Sequence, residues 1–307
     1  MIYFWYRVNE QTRQWILDVA RRLNYQPNSA ARMLRRGRSL VIGAIVSDIS
    51  NVFYGEIARQ LEELAFQHGY TVLFGSSDES PEKFDRIVRS FLDKGVEGFI
   101  VVPCEGSEKS LYYIRNVGVP LVIIDRKDLD FPAPKIVLDN ESAMQSAVSI
   151  LLSRNIRRIE MLSYTMRVSS ITGREAGFIS ALEKIGVAEE NIIIHRLPFD
   201  DIENATEDIM PSIVERGVEG LVFATNALAI ASIRKLASMG VRIQQDIHLV
   251  GFDNSDVYGL FNPPIPHVCQ PMRKICSEAF AFLKKLIDNE IEQKSQIITL
   301  DGEIVGV

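Results

Sequence analysis

From Leu40 onward the chain alternates short, β-branched apolar runs with amphipathic stretches at helical spacing, and few architectures accommodate that alternation. Strand-like runs fall at 41–49, 70–76, 98–103, 120–125 and 135–140, with helical patterns at 55–67, 81–94 and 107–117 between them. A second series has strands at 156–163, 191–197, 220–226 and 247–253 and helices at 141–154, 174–185, 202–216 and 227–239. Pro211 stands inside one of those helices and predicts a kink or a shortening. Residues 272–288 read as a further helix and 296–305 as two short strands. Buried strands separated by amphipathic helices predict parallel sheets covered on both faces. The heptapeptide GVEGFIV at 95–101 returns as GVEGLVF at 217–223, at equivalent points of the two series, which favours two lobes of one architecture. The fold class is therefore α/β, with two doubly wound parallel sheets.

The first forty residues differ in kind. Asn9 is placed to cap a helix over 10–23, with Thr12, Ile16, Val19 and Leu23 on one face. Pro27 forbids its continuation, and a second helix of about two turns fits between Ser29 and Gly37. Residues 1–40 hold eight arginines against two acids, a balance of +6. The remainder holds 26 basic and 38 acidic residues, a balance of −12, which gives −6 for the whole chain. A basic arm on an acidic body fits a protein that meets nucleic acid at one end, and arginine without lysine suits bidentate phosphate contact.

Several classes fit poorly. Cys104, Cys269 and Cys276 are odd in number and lack metal-site spacing, which points to core residues in a reducing, cytoplasmic setting, with no metal and no cofactor. No run approaches the roughly 20 apolar residues of a membrane span, and the opening MIYFWY is too short for an export signal. The chain contains no HExxH, GxSxG, P-loop or GxGxxG motif, so no catalytic residue is assigned. Carboxylates such as Asp48, Asp125 and Asp253 would suit a glycoside hydrolase, but a closing cleft explains them without catalysis.

Ligands of open α/β sheets bind beyond the C-terminal ends of the strands. The residues there are Asp48, Ser50, Asn51, Phe53 and Tyr54, then Ser76, Ser77 and Asp78, then Asp125 and Arg126. The second series adds Ser170 and Arg174, then Phe223 and Asn226 in the run FATN, then Asp253. Such polar groups hydrogen-bond vicinal hydroxyls, while an aromatic face packs on the C–H side of a ring. Each has a structural alternative. Asp253 also suits a turn cap, Arg174 has Glu175 and Glu141 as surface partners, and one of Phe53 and Tyr54 suits the core.

The segment RRLNYQPNSAARMLRRGRS, followed by VIGAIVSDISNVFY, resembles the hinge and first sensor strand of the lactose-repressor/galactose-repressor family of bacterial transcription regulators. The resemblance runs nearly to the C-terminus. It implies a two-lobed sensor like the periplasmic binding proteins over 39–307, and a DNA-binding remnant over 1–38. Lobe 1 is expected at about 40–138 and 270–295, and lobe 2 at about 139–269 and 296–307. Chain crossings are expected near 138–140 and 269–271 and at the last strand. It further implies a hinge helix that folds on operator DNA, with Arg32, Arg35 and Arg36 on phosphates and Leu34 wedged into the minor groove. By position it assigns a small sugar-like effector to Phe53, Tyr54, Arg174, Asn226 and Asp253. A homodimer is implied as well. Val52 and Ala227 depart from the family pattern, where proline and aspartate are usual. In the family, 8–25 corresponds to the third headpiece helix, and only MIYFWYR precedes it. The helix-turn-helix is therefore expected to be lacking and operator binding weakened or lost. The expected function is a ligand-responsive repressor; the alternative is a solute-binding protein without DNA-binding activity, which would need an export signal and has no use for SAARMLRRGR.

Overall fold

The computed structural model describes residues 9–23, 25 and 38–307, and divides the chain into two units between Ser39 and Leu40. In the first unit α1 (Glu10–Arg22) is capped as expected: Asn9 Oδ1 accepts the Thr12 N–H at 2.9 Å. Glu10 in the first turn and Arg21 and Arg22 in the last match the helix dipole. No residue of α1 is buried. The predicted hinge helix, with Arg32, Leu34, Arg35 and Arg36, lies outside the described residues, as do residues 1–8.

The second unit holds two six-stranded sheets. In chain order its strands are β1 (Val41–Val46), β2 (Thr71–Ser76), β3 (Phe99–Val101), β4 (Leu121–Ile124), β5 (Pro134–Leu138) and β6 (Ile159–Tyr164). Then come β7 (Ile194–Leu197), β8 (Gly220–Phe223), β9 (His248–Phe252), β10 (His267–Cys269), β11 (Gln296–Leu300) and β12 (Glu303–Val305). The helices are α2 (Val52–Gln67), α3 (Pro81–Asp93), α4 (Glu108–Asn116), α5 (Asn140–Ser153), α6 (Ser169–Glu183), α7 (Ile202–Glu215), α8 (Asn226–Ser238) and α9 (Met272–Ile287). The first sheet runs β11-β5-β4-β3-β1-β2, all parallel, and the second β12-β10-β9-β8-β6-β7. Only β12 is antiparallel, against β10. Helix α7 continues through Pro211 to Glu215.

Two apolar layers cover the first sheet. Ile57 and Leu61 of α2 with Ile275 and Leu283 of α9 fill one, and Phe84 and Val88 of α3 with Leu111 and Ile114 of α4 fill the other. A buried side chain of this size contributes about 1.5–3 kcal/mol. The second lobe has one continuous core, in which α5 packs on α6 and α7 on α8.

The heptapeptide repeat has a physical reason in each lobe. Gly95 and Gly217 adopt left-handed backbone at φ 74° and 68°, ending a helix. Gly98, just before β3, and Gly220, the first residue of β8, stand where a Cβ would meet Leu283 at 2.7 Å and Leu151 at 2.9 Å. The glutamate between them ties down the first strand of its lobe. Glu97 accepts the Leu40 N–H at 2.9 Å, and Glu219 accepts those of Arg157 and Arg158 at 3.0 and 3.1 Å.

One expected boundary is corrected. Strand β11 pairs in parallel with β5, from Gln296 beside Pro134 to Leu300 beside Leu138, so 296–300 belongs to the first lobe. Leu300 seals that lobe's core, and the chain crosses for the third time between β11 and β12. The first two crossings follow β5 and β10.

The α5–α6 contact depends on a missing side chain. A Cβ on Gly177 would lie 2.3 Å from the Glu141 carbonyl oxygen, a backbone atom that cannot rotate away. Gly177→Ala is expected to cost roughly 1–3 kcal/mol, about 2–4 °C of Tm per kcal/mol. Gly259→Ala, where a Cβ meets nothing within 4 Å, serves as the control in the same calorimetric melt.

Candidate functional site: the cleft between the lobes

The strand ends of both lobes face one cleft, lined by residues of each, the position where open α/β sheets bind their ligands. Four carboxylates at or beside it sit on left-handed backbone: Asp78 (φ 50°), Glu79 (φ 55°), Asp125 (φ 68°) and Asp253 (φ 63°). Such backbone costs an L-residue about 1–2 kcal/mol, and short polar side chains bear it best. Asp125 follows β4 and Asp253 follows β9, so both lobes turn an aspartate into the cleft with the same device. The turn role and the cleft position of Asp253 are therefore combined in one residue.

Arg126 organises the first wall. It is buried, and its Nη1 donates to Glu79 Oε2 at 2.8 Å and to the Pro103 carbonyl at 2.5 Å. Nη2 donates to Glu79 Oε1 at 2.5 Å and Ser47 Oγ at 3.3 Å. Ser47 in turn donates to the Tyr54 hydroxyl at 3.1 Å. Burial opposes the charge on Arg126, but the forked bond to Glu79 outweighs it and holds the guanidinium above its ordinary pKa. Burial also raises the Tyr54 hydroxyl. Phe53, in edge-to-face contact with Tyr54 at 4.8 Å, completes this wall.

Arg174 organises the second. Its Nε donates to Asn140 Oδ1 at 2.8 Å, its Nη1 to the Ala224 carbonyl at 2.5 Å, and its Cζ lies 3.8 Å from the centre of the Phe252 ring. Asp253 is fully enclosed and accepts from Gln270 Nε2 at 2.6 Å. Burial raises its carboxyl above the ordinary aspartate value, against the opposing pull of Arg174 and Gln270. Tyr164, bonded to Thr225 at 3.0 Å and edge-on to Phe199, supplies an aromatic side.

The lobes touch around the cleft. Ser170 Oγ donates to Asp125 Oδ2 at 3.4 Å, and Asn226 Nδ2 to Asn51 Oδ1 at 3.2 Å. The N-terminus of α6 lacks a side-chain cap from Val168. Asp128 of the other lobe supplies one, accepting the Ser169 N–H at 3.1 Å, while Ser169 Oγ accepts the Lys127 N–H at 2.8 Å.

Of the residues singled out in the sequence, Phe53, Tyr54, Asp125, Arg126, Ser170, Arg174 and Asp253 line this cleft, and Asn226 lines its adjoining mouth. Two positions are corrected. Phe223 lies in the core of the second lobe, because its side chain falls on the packed face of β8. Asp78 turns outward to an ion pair with Lys83, and the next residue, Glu79, takes the place in the wall. Glu79, Tyr164, Phe199, Thr225 and Gln270 were not singled out; the run of polar residues after β2 was the only sequence signal for Glu79. Among the described residues no group of three or more His, Cys, Asp or Glu is placed to hold a metal ion, and no helix is long and apolar enough to cross a membrane.

Residues 148–305 match the profile described as periplasmic binding protein-like domain. Catabolite control protein A of Priestia megaterium is 27% identical over 301 residues, covering 97% of this chain and 88% of that protein. The HTH-type transcriptional repressor PurR of Vibrio atlanticus is 27% identical over 300 residues, covering 97% and 89%. A putative ribose operon repressor from Burkholderia thailandensis has a similar structure, with a TM-score of 0.76 and 27% identity over 88% of this chain and 100% of that one.

The environment of Asp253 predicts a pH signature. A carboxyl raised on folding stabilises the fold while protonated, and that contribution is lost as pH rises through its folded-state pKa. Asp253→Asn should therefore gain stability relative to the wild type between acid and neutral pH, read as unfolding free energies in denaturant at pH 4.5 and 7.5. A constant difference would place the carboxylate in contact with solvent.

Proposed function

The chain belongs to the periplasmic binding protein-like domain family, and we propose that it is a ligand-responsive, DNA-binding transcription regulator of the repressor type. Its two-lobed domain takes a small effector, a sugar or sugar derivative, and the basic N-terminal arm meets operator DNA. The observation that carries the effector reading is the cleft itself. Two buried arginines, the buried Asp253 and the half-buried Asp125, drawn from opposite lobes, face one space flanked by aromatic rings. Those groups bind and orient; nothing among them is arranged as a nucleophile with its base, so the reading is of recognition and not of catalysis. Effector binding by Phe53, Tyr54, Asp125, Arg126, Ser170, Arg174, Asn226 and Asp253 belongs to this proposal. So does phosphate contact by Arg32, Arg35 and Arg36, with Leu34 as the minor-groove wedge. A wedge at an operator's centre needs a symmetry mate, which makes the working unit a homodimer. The relatives named as a repressor and an operon repressor support the regulatory reading over plain solute binding.

A ligand that binds only the folded state stabilises it by about 2.7 kcal/mol at a hundredfold excess over Kd. A polyhydroxylated ligand at millimolar concentration should therefore raise Tm by several degrees, and Arg174→Ala should abolish the rise while far-UV circular dichroism stays native. A panel of sugars, sugar phosphates and nucleosides that leaves Tm unchanged would falsify the effector reading.

The arm makes a second expectation. Binding to duplex DNA should weaken steeply with salt, and each of Arg35→Gln and Arg36→Gln should reduce the log–log slope by about one. An unchanged slope in both variants means the arm does not touch phosphates.

A further inference from the structure

An anionic effector is held best by a cation whose charge is not already balanced, and each arginine of the cleft stands beside carboxylates of the cleft itself. Both Nη atoms of Arg126 are committed to Glu79, Pro103 and Ser47, and its Nε lies 3.8 Å from Asp125 Oδ2. Arg174 is held by Asn140 and Ala224, stacked on Phe252, and opposed by the charge of Asp253. Three carboxylates thus stand against two guanidiniums in the lining. The adjoining mouth adds Asp48, Asp200, Asp201 and Glu203 against Arg234 alone, and Arg234 already pairs with Glu203 at 2.9 Å.

Besides the buried Nε of Arg126, which makes no hydrogen bond but faces Asp125 Oδ2, two acceptors in or beside the cleft are short of donors. Asp125 receives only the long 3.4 Å bond from Ser170, although a carboxylate has about four lone-pair sites. Asn226 is 2% exposed, and its Oδ1 accepts no hydrogen bond. Its amide orientation is fixed, because Asn51 Oδ1 already accepts the Phe53 N–H and so needs a donor from Asn226. Acceptors without donors call for a ligand that brings O–H groups.

We propose, on the premise that the cleft binds a sugar, that it selects the uncharged sugar and rejects the phosphate ester of the same sugar. A phosphate would approach through a field of its own sign and lose its hydration without gaining an unpaired cation. Its oxygens would also face the acceptors of Asp125 and Asn226. A hydroxyl donates to either and carries no charge into the mouth.

The test is calorimetric titration of the full chain with D-ribose, D-glucose and D-galactose and with the terminal phosphate ester of each, at about 50 mM and about 500 mM salt, on either side of strong screening. The expected result is binding of a neutral sugar, with its ester at least tenfold weaker at low salt. High salt should narrow that gap, as should the double variant Asp200→Asn/Asp201→Asn. An ester that binds as tightly as its parent overturns the charge inference and leaves the sugar cleft standing. A gap indifferent to salt also overturns it, because the rejection is then steric. Binding of no sugar in either form overturns the sugar reading and this inference together.

Discussion

A guanidinium taken out of water needs an acceptor for nearly every N–H, and the first lobe is built to meet that demand at Arg126. Its acceptors come from the ends of different strands: Ser47 after β1, Glu79 after β2 and Pro103 after β3, while Arg126 itself follows β4. One side chain therefore fixes four strand ends relative to one another, which shapes the wall that a ligand meets. Removing either partner of the Arg126–Glu79 pair leaves a buried charge uncompensated, a loss on the order of 3–5 kcal/mol. That dependence explains why a strained, left-handed Glu79 persists.

The second lobe applies the same chemistry to the connections between lobes. Arg174 is bonded to Asn140, the first residue of α5 just past the first crossing, and Asp253 to Gln270, on the second crossing between β10 and α9. The charged groups most exposed to an effector's influence are thus attached to the chain segments about which the lobes would move. Asp128 capping α6 from the opposite lobe adds a contact that exists only while those surfaces meet. Such contacts give a ligand that bridges the lobes a means of favouring one arrangement over another.

Much of this was legible in the sequence because it follows from local periodicity. The β-branched runs and helical stripes gave the elements from β1 to β9, and Asn9 announced the cap of α1. Strand β10 was missed, since three residues carry no period; it exists because β9 and β12 flank it. The lobe that receives β11 was misassigned for a related reason: Gln296–Leu300 has the same pattern in either sheet, and only register with β5 decides. At the cleft, Asp125, Arg174 and Asp253 stood out as polar residues at strand ends. Glu79 did not, because its entry into the wall depends on the left-handed turn shared with Asp78. Gln270 did not, because its bond to Asp253 exists only once the chain has returned across the lobes. Phe223 misled because a strand end and a core face are the same position seen from two sides.

The central claim is that a ligand between the lobes engages both walls at once. Hydrogen–deuterium exchange of the full chain, with and without a saturating sugar that binds, tests it most directly. Simultaneous protection of 47–54 and 123–128 in the first lobe and of 168–175 and 250–255 in the second is the predicted result. Protection confined to one lobe, or to surface helices away from the strand ends, would contradict it.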